Sequence, residues 1–239
     1  MEKAALSGTP ILRPLARDVR TRRGDALDDA RALLDLDRTE YENPLDRGRD
    51  VGEKIDATSH RDVAGMKPVT VMFLETSLRI GGAEMMLTQL IERIDRRRFR
   101  PVLCCLYEPG ALAARVRQAG VVVYHSLAAN RWDVRVGPRL LRLLRKERVK
   151  VLYIINQPMT QFWGTWCGLL AGVPVRVSTI GSTGKLSRVH RRLWINRLTF
   201  RFMSRVRALS QMHKAYLIEH EGIAAEKLEI IPNGVDVGR

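Results

Sequence analysis

Four residues, Gly81-Gly82-Ala83-Glu84, stand where an apolar run ends and a helix-period pattern begins. Glycine has no Cβ, so the backbone there can approach a ligand closely. The helix that follows presents N–H groups without internal partners and the positive end of its dipole. A phosphate, a diphosphate or a sugar hydroxyl suits that arrangement. Gly81 and Gly82 are therefore the candidate cleft-binding residues, with Glu84 beside them. The segment is not a Walker loop, because no Gly-Lys-Ser/Thr follows, and it is not GxGxxG. Taken alone, a glycine pair before a helix is also an ordinary turn.

Other chemistries find little support. Cys104 and Cys105 are adjacent and Cys167 is alone, so the three thiols form neither a disulfide framework nor a zinc pattern. A reducing cytoplasm fits them best. The histidines (His60, His125, His190, His213, His220) have no carboxylate or ligand spacing around them, so no catalytic residue and no metal site is assigned. A second charged feature lies at 185–207, where Lys185, Arg188, Arg191, Arg192, Arg197, Arg201, Arg205 and Arg207 occur without one acid, interleaved with Leu193, Trp194, Leu198, Phe200 and Phe202. Such a helix can lie on anionic lipid, and Arg188, Arg192, Arg201 and Arg205 are the candidate membrane contacts. A solvated helix with one partly buried side is the equal alternative, because the arginines spread around most of the helical wheel. Nucleic acid is a poor third partner, since no recognition module accompanies the basic residues.

The elements that must position these residues follow from periodicity. Val69–Leu74, Pro101–Tyr107, Val121–Tyr124, Val149–Ile155, Pro174–Thr179, Val206–Ser210 and Leu228–Ile231 read as short buried strands. Between them, Ala83–Ile94, Leu112–Ala119, Pro138–Glu147, Gln161–Ala171, Leu186–Met203 and Met212–His220 read as helices, with Gly120, Gly172 and Gly222 as stops. The stretch Val151–Val175 carries no charge and could reach across a bilayer. Asn156, Gln157, Pro158, Thr160, Gln161, Thr165 and Pro174 interrupt it, so it is expected to be strand, loop and helix. Alternating strands and helices at this spacing imply an α/β, Rossmann-like, doubly wound and mainly parallel sheet with helices on both faces. Ligands of such sheets sit at the C-terminal strand ends, where the loop holding Gly81 and Gly82 falls.

The 239 residues carry a net charge of +15, divided unevenly. Residues 1–67 hold 13 Lys/Arg against 14 Asp/Glu, whereas 68–239 hold 28 against 12. The first part is poor in large aliphatics and has Tyr41 as its one aromatic, so it can bury little surface. A charged, disordered or partly helical extension is expected over 1–66, with Asp28–Leu36 its one helical stretch. The folded unit is expected over 67–236. Its basic balance suits phosphates in general: nucleic acid, anionic lipid or a nucleotide-linked substrate. Collagen-like, low-complexity and small disulfide-rich classes are excluded by composition.

Several short motifs occur together and in order: Gly81-Gly82-Ala83-Glu84; Ala171-Gly172-Val173-Pro174 before a strand; Ala208-Leu209-Ser210 before a helix; and Glu229-Ile230-Ile231-Pro232-Asn233-Gly234-Val235-Asp236. In this order they resemble the N-terminal, acceptor-side half of family 4 (group 1) glycosyltransferases, over roughly residues 67–236. The resemblance implies half of a two-domain GT-B enzyme that moves a sugar from a nucleotide-sugar to an acceptor hydroxyl, with retention at the anomeric carbon and no metal. It implies that Asn233, Gly234 and Asp236 mark the interdomain linker and that 237–239 begin the path to a C-terminal donor domain not contained in these residues. A sugar or lipid-linked acceptor, a separate donor-domain chain and an anionic membrane are the partners so implied. No cofactor is expected; the nucleotide-sugar belongs to the complete enzyme. The location implied is cytoplasmic, peripheral to the inner face of the membrane. Two departures matter. Many relatives end the fifth strand with a histidine, where this chain has Thr179-Ile180-Gly181. Glu221 and Glu229 have the Glu-x7-Glu spacing of the family's donor site but precede the linker, so the match is read as chance. The rival reading is a non-catalytic binding or membrane-docking module on the same fold.

Overall fold

The computed structural model describes residues 67–155, 158–181 and 198–234. The expectations for the 1–66 extension, for residues 186–197 of the basic helix with Arg188 and Arg192, and for Asp236 and 237–239 lie outside those residues.

Seven strands form one parallel sheet in the order β3-β2-β1-β4-β5-β6-β7. They are β1 Val69–Glu75, β2 Phe99–Cys105, β3 Val122–Tyr124, β4 Val151–Ile155, β5 Val175–Thr179, β6 Arg205–Ala208 and β7 Leu228–Ile230. The helices are α1 Gly82–Arg93, α2 Ala113–Gln118, α3 Val136–Lys146, α4 Pro158–Leu170 and α5 Gln211–Glu221. The Rossmann-like, doubly wound class expected from the alternation is the one observed.

Strand side chains alternate between two cores, as a pleated sheet covered on both faces requires. Val71 and Phe73 of β1 join Leu87 and Ile91 of α1 and Ala113 and Val116 of α2 on one face. Met72 and Leu74 join Leu140, Leu143 and Leu144 of α3, Cys167 of α4 and Leu217 of α5 on the other. The chain thus changes face between β1 and β4. Their C-terminal ends, Leu74 beside Ile154, border the crevice where such folds hold ligands. Helix α4 packs close beneath this point because Gly164 has no side chain; a Cβ there would lie 2.8 Å from both Ile154 and Leu74 methyl carbons.

Boundaries differ from the periodicity in three informative places. Strand β2 starts at Phe99 rather than Pro101, because Phe99 is buried and Val69 and Thr70 of β1 extend the pairing back. Pro101 is accommodated because β3 pairs only from Val102 onward, so its missing N–H falls where β2 has a single neighbour. Helix α3 starts two residues before Pro138, after a turn organised by Asp133, whose carboxylate accepts from the Arg135 N–H at 3.0 Å. Strand β4 ends at Ile155 and α4 begins at Pro158, so the uncharged stretch is strand and helix as expected. No helix among the described residues is long and apolar enough to cross a membrane.

Candidate functional site

The loop leaving β1 is moored rather than loose. Leu78 N–H donates to the Pro109 carbonyl at 3.2 Å, Tyr107 N–H to Thr76 at 2.9 Å, and Leu112 N–H to Leu78 at 3.1 Å. Gly110, at φ +76, allows this approach, since a Cβ there would collide with the Leu78 carbonyl group. Arg79 forms an exposed ion pair with Glu108 across the same two loops. The mooring fixes where Gly81 and Gly82 sit.

Gly81 is the N-cap of α1, with extended backbone at φ −165 and no side-chain cap. Its carbonyl accepts from Met85 N–H at 2.9 Å. A Cβ on Gly81 would strike the Glu84 carboxylate, which therefore lies folded over the cap, whereas a Cβ on Gly82 would meet nothing within 4 Å. Gly82 and Ala83 are exposed. The structure thus brings Gly81, Gly82 and Glu84 together at the first turn of α1. The N-cap glycine offers no side-chain cap to the first N–H groups, and the Glu84 carboxylate lies beside them.

Near enough to this turn to feel the Glu84 charge lies Glu75, which the sequence reading missed. It closes β1 and is 1% exposed. Its Oε1 accepts from the Thr76 N–H at 2.7 Å and the Thr76 hydroxyl at 2.9 Å. Burial pushes its carboxyl up to about 7, partly offset by those Thr76 hydrogen bonds, with the nearby Glu84 charge adding to the rise. The available signal was a lone carboxylate ending an otherwise apolar strand, Val69–Glu75. Ser77 is also buried, and its hydroxyl has no partner among the described residues.

Across the switch point, the ends of β4 and β5 carry a second polar group. The Ser178 hydroxyl donates to Gln161 Oε1 at 2.6 Å, the Thr165 hydroxyl to the Gln161 carbonyl at 2.6 Å, and the Thr160 hydroxyl to the Ile155 carbonyl at 2.7 Å. All four side chains are buried. They fix the start of α4 against the strand ends, so the crevice has a rigid floor on this side. Thr179 and Gly181 follow, and no histidine stands there.

The other singled-out residues lie elsewhere. Asn233 and Gly234 follow β7, where buried Arg207 ties the chain: Nε donates to Ile231 at 2.9 Å, and Nη2 to Pro232 at 2.8 Å and to Asn233 Oδ1 at 3.4 Å. Arg205 opens β6 and pairs with Glu229 of β7 at 2.8 Å. Arg201 is exposed at the end of the helical residues 198–201. All three cysteines are buried and reduced; burial pushes Cys105 up to about 12 and Cys167 up to about 11, so neither is a ready nucleophile. Among the described residues no group of three or more His, Cys, Asp or Glu could hold a metal ion.

Against known proteins, the family model described as Glycosyltransferase Family 4 matches residues 80–239. No curated protein sequence matches the chain. Among solved structures, the Anabaena protein Alr3699/HepE in complex with UDP-glucose is similar at 20% identity and a TM-score of 0.55, over 71% of this chain and 45% of its own. A Rickettsia africae glycosyltransferase is similar at 13% identity and a TM-score of 0.56, over 72% of this chain and 44% of its own. A Listeria monocytogenes putative UDP-N-acetylglucosamine 2-epimerase is similar at 11% identity and a TM-score of 0.51, over 70% of this chain and 46% of its own. At these identities the likeness is one of fold. The chain spans a little under half the length of the structures it matches.

Proposed function

The chain belongs to glycosyltransferase family 4, and from that premise we propose that it is the acceptor-side half of a retaining enzyme moving a sugar from a nucleotide-sugar to an acceptor hydroxyl. The observation that carries this reading is the uncapped N-terminus of α1, with Gly81 and Gly82, opening at the switch point between β1 and β4. A hydroxyl-bearing group placed there meets backbone N–H donors and the helix dipole, with the Glu84 carboxylate beside it. The acceptor is a polysaccharide, a glycolipid or another cell-envelope glycan.

In transfer, the acceptor oxygen bonds to the anomeric carbon as the bond from that carbon to the diphosphate breaks. This half holds the acceptor on the same face of the sugar as the departing diphosphate, as retention requires; the hydroxyl proton passes to the leaving diphosphate oxygen, and positive groups on the donor side stabilise that diphosphate. Glu84, folded over Gly81, is the side chain best placed to orient an acceptor hydroxyl. Asn233, Gly234 and Asp236 form the hinge toward the donor half, with Arg207 anchoring its near end. Arg188, Arg192, Arg201 and Arg205 bring a lipid-linked acceptor close by contacting an anionic membrane, on the cytoplasmic side. UDP or UDP-glucose in the Anabaena neighbour supports a nucleotide-sugar donor.

Residues 1–239 alone are expected to transfer no sugar, because the donor's contacts come largely from the family's other half. The test is sugar transfer to lipid or glycan acceptors with a panel of nucleotide-sugars, with and without a donor half supplied as a second chain. Transfer that appears only when both are present supports the reading. Turnover by the 239 residues alone refutes the division of labour.

A further inference from the structure

We propose that the acidic stretch 25–46 of this chain docks on the basic end of its own sheet, where β1, β2 and β4 begin. That end lies opposite the cleft, so the contact stands whether or not the cleft transfers sugar.

A parallel sheet starts all its strands at one end. Val69 of β1 pairs with Phe99 of β2, and Val71 with Val151 of β4. The Val69 N–H donates to the Arg98 carbonyl at 2.8 Å, and the Lys150 N–H to the Thr70 carbonyl at 3.0 Å. The segments entering the three strands are therefore laced together, and neighbouring strands lie about 4.8 Å apart. That gathers Lys67, Arg97, Arg98, Arg148 and Lys150 at one end of three adjacent strands. Arg98 is half-buried and the other four are exposed. Among the described residues, none of the five forms an ion pair with a carboxylate.

The acids nearby are already engaged. Asp95 Oδ1 accepts from the Arg97 N–H at 2.9 Å. Glu147 accepts from the Tyr124 hydroxyl at 2.6 Å and from Arg100 at 2.7 Å. The turn that carries the arginines is also fixed. Arg96 Nη2 donates to the Ile91 carbonyl at 2.9 Å, which ties the turn to α1, and the Arg98 guanidinium lies 5.4 Å from the Phe99 ring centre. Cations held this close repel one another, and an anionic partner relieves that repulsion.

The chain itself supplies the occupant. Residues 25–46 hold eight Asp/Glu against Arg31 and Arg38, so more than half of the fourteen acids of residues 1–67 fall within them. The segment that carries them joins the domain at Lys67, inside the basic cluster and away from the cleft. Residues 47–66 lie between, and twenty residues at up to roughly 3.3 Å each reach any part of this end. Tethering puts the acids there at an effective concentration on the order of millimolar. Ion pairs that are weak singly then hold the contact together. A second copy, or a separate polyanion, has to displace the tethered segment first. The docked stretch thus covers the cations and keeps other polyanions off this end.

The test is carbodiimide crosslinking of the 239-residue chain, which joins a carboxylate directly to a lysine in contact with it, with the links mapped by mass spectrometry. At low salt, links from residues 25–46 to Lys150 within one chain are expected. They should be at least about fivefold more abundant than links to Lys214, in the helix that follows β6 at the other end of the sheet. High salt should remove most of them. The triple variant Arg97→Gln, Arg98→Gln, Arg148→Gln should reduce them about tenfold, about twofold per cation. Arg97→Lys with Arg148→Lys should retain them at an unchanged melting temperature, which separates charge from folding. A short DNA duplex serves as a polyanion probe. The variant Asp28→Asn, Asp29→Asn, Asp35→Asn, Asp37→Asn should bind it about tenfold more tightly than wild type does. That gain should vanish when the three Arg→Gln changes are added, which a mere change of net charge would not produce. Links spread equally over Lys150 and Lys214 overturn the proposal. So do links found only between chains, or a gain in duplex binding that survives loss of the three arginines.

Discussion

Replacing Glu75 with Gln should change how stability depends on pH, by an amount the structure fixes. The carboxyl is 1% exposed and is raised from 4.5 to about 7, chiefly by burial. The shift amounts to about 3 kcal/mol of preference for the protonated form in the folded state. Because the folded value is the higher one, the domain holds this proton more tightly than the unfolded chain does. Its full contribution is present below about pH 4.5, and it is lost as pH rises through about 7. Above that, a buried carboxylate remains, held by the two Thr76 hydrogen bonds. Glutamine keeps an acceptor for Thr76 and cannot ionise. Thermal unfolding of wild type and Glu75→Gln from pH 5 to pH 8 isolates the effect, since every other titrating group is common to both. The difference in Tm should be small or slightly unfavourable to the variant at the acid end. It should move in the variant's favour toward pH 8, by up to about 10 °C for a domain of this size. A difference that stays constant across that range, or moves the other way, would refute the reasoning that burial governs this group.

Gly110→Ala should lower stability by about 2 kcal/mol or more, read as a fall in Tm, because it joins an unfavourable positive φ to a collision with the Leu78 carbonyl. Arg207→Ala should cost roughly 2 kcal/mol and speed amide exchange from Ile231 to Gly234, since it removes the hydrogen bonds to the carbonyls of Ile231 and Pro232. Unchanged exchange there would show that β7 alone holds the exit of the chain.

The sequence revealed whatever local chemistry determines. Gly120, Gly172 and Gly222 were legible as helix stops because each takes a positive φ that other residues resist. The Gly81-Gly82 turn was legible because a glycine pair before a helix-period run marks a helix start. Strand order was not legible: β1 pairs with β4 some eighty residues away, and periodicity says nothing about which strands become neighbours. The same limit hid the rest of the site. Glu75 matters because β1 runs one residue past the apolar pattern and ends on a buried carboxylate. Ser178 and Gln161 come together only when β5 lies beside β4 and α4 packs over both. The basic end of the sheet depends on β1, β2 and β4 starting side by side, whereas the notable charge in the sequence was the run at 185–207.

The central claim is that the uncapped turn at Gly81 and Gly82 belongs to the acceptor cleft of a glycosyltransferase. Gly82 tests it most directly, because a Cβ there meets no protein atom within 4 Å, so a small side chain should leave the fold intact. The measurement is the rate of sugar transfer by Gly82→Val and wild type, each joined to a donor half, with Tm recorded alongside. The account predicts an unchanged Tm and a transfer rate reduced at least a hundredfold, about 3 kcal/mol of lost transition-state stabilisation. A variant that melts like wild type and transfers sugar at the wild-type rate would contradict it.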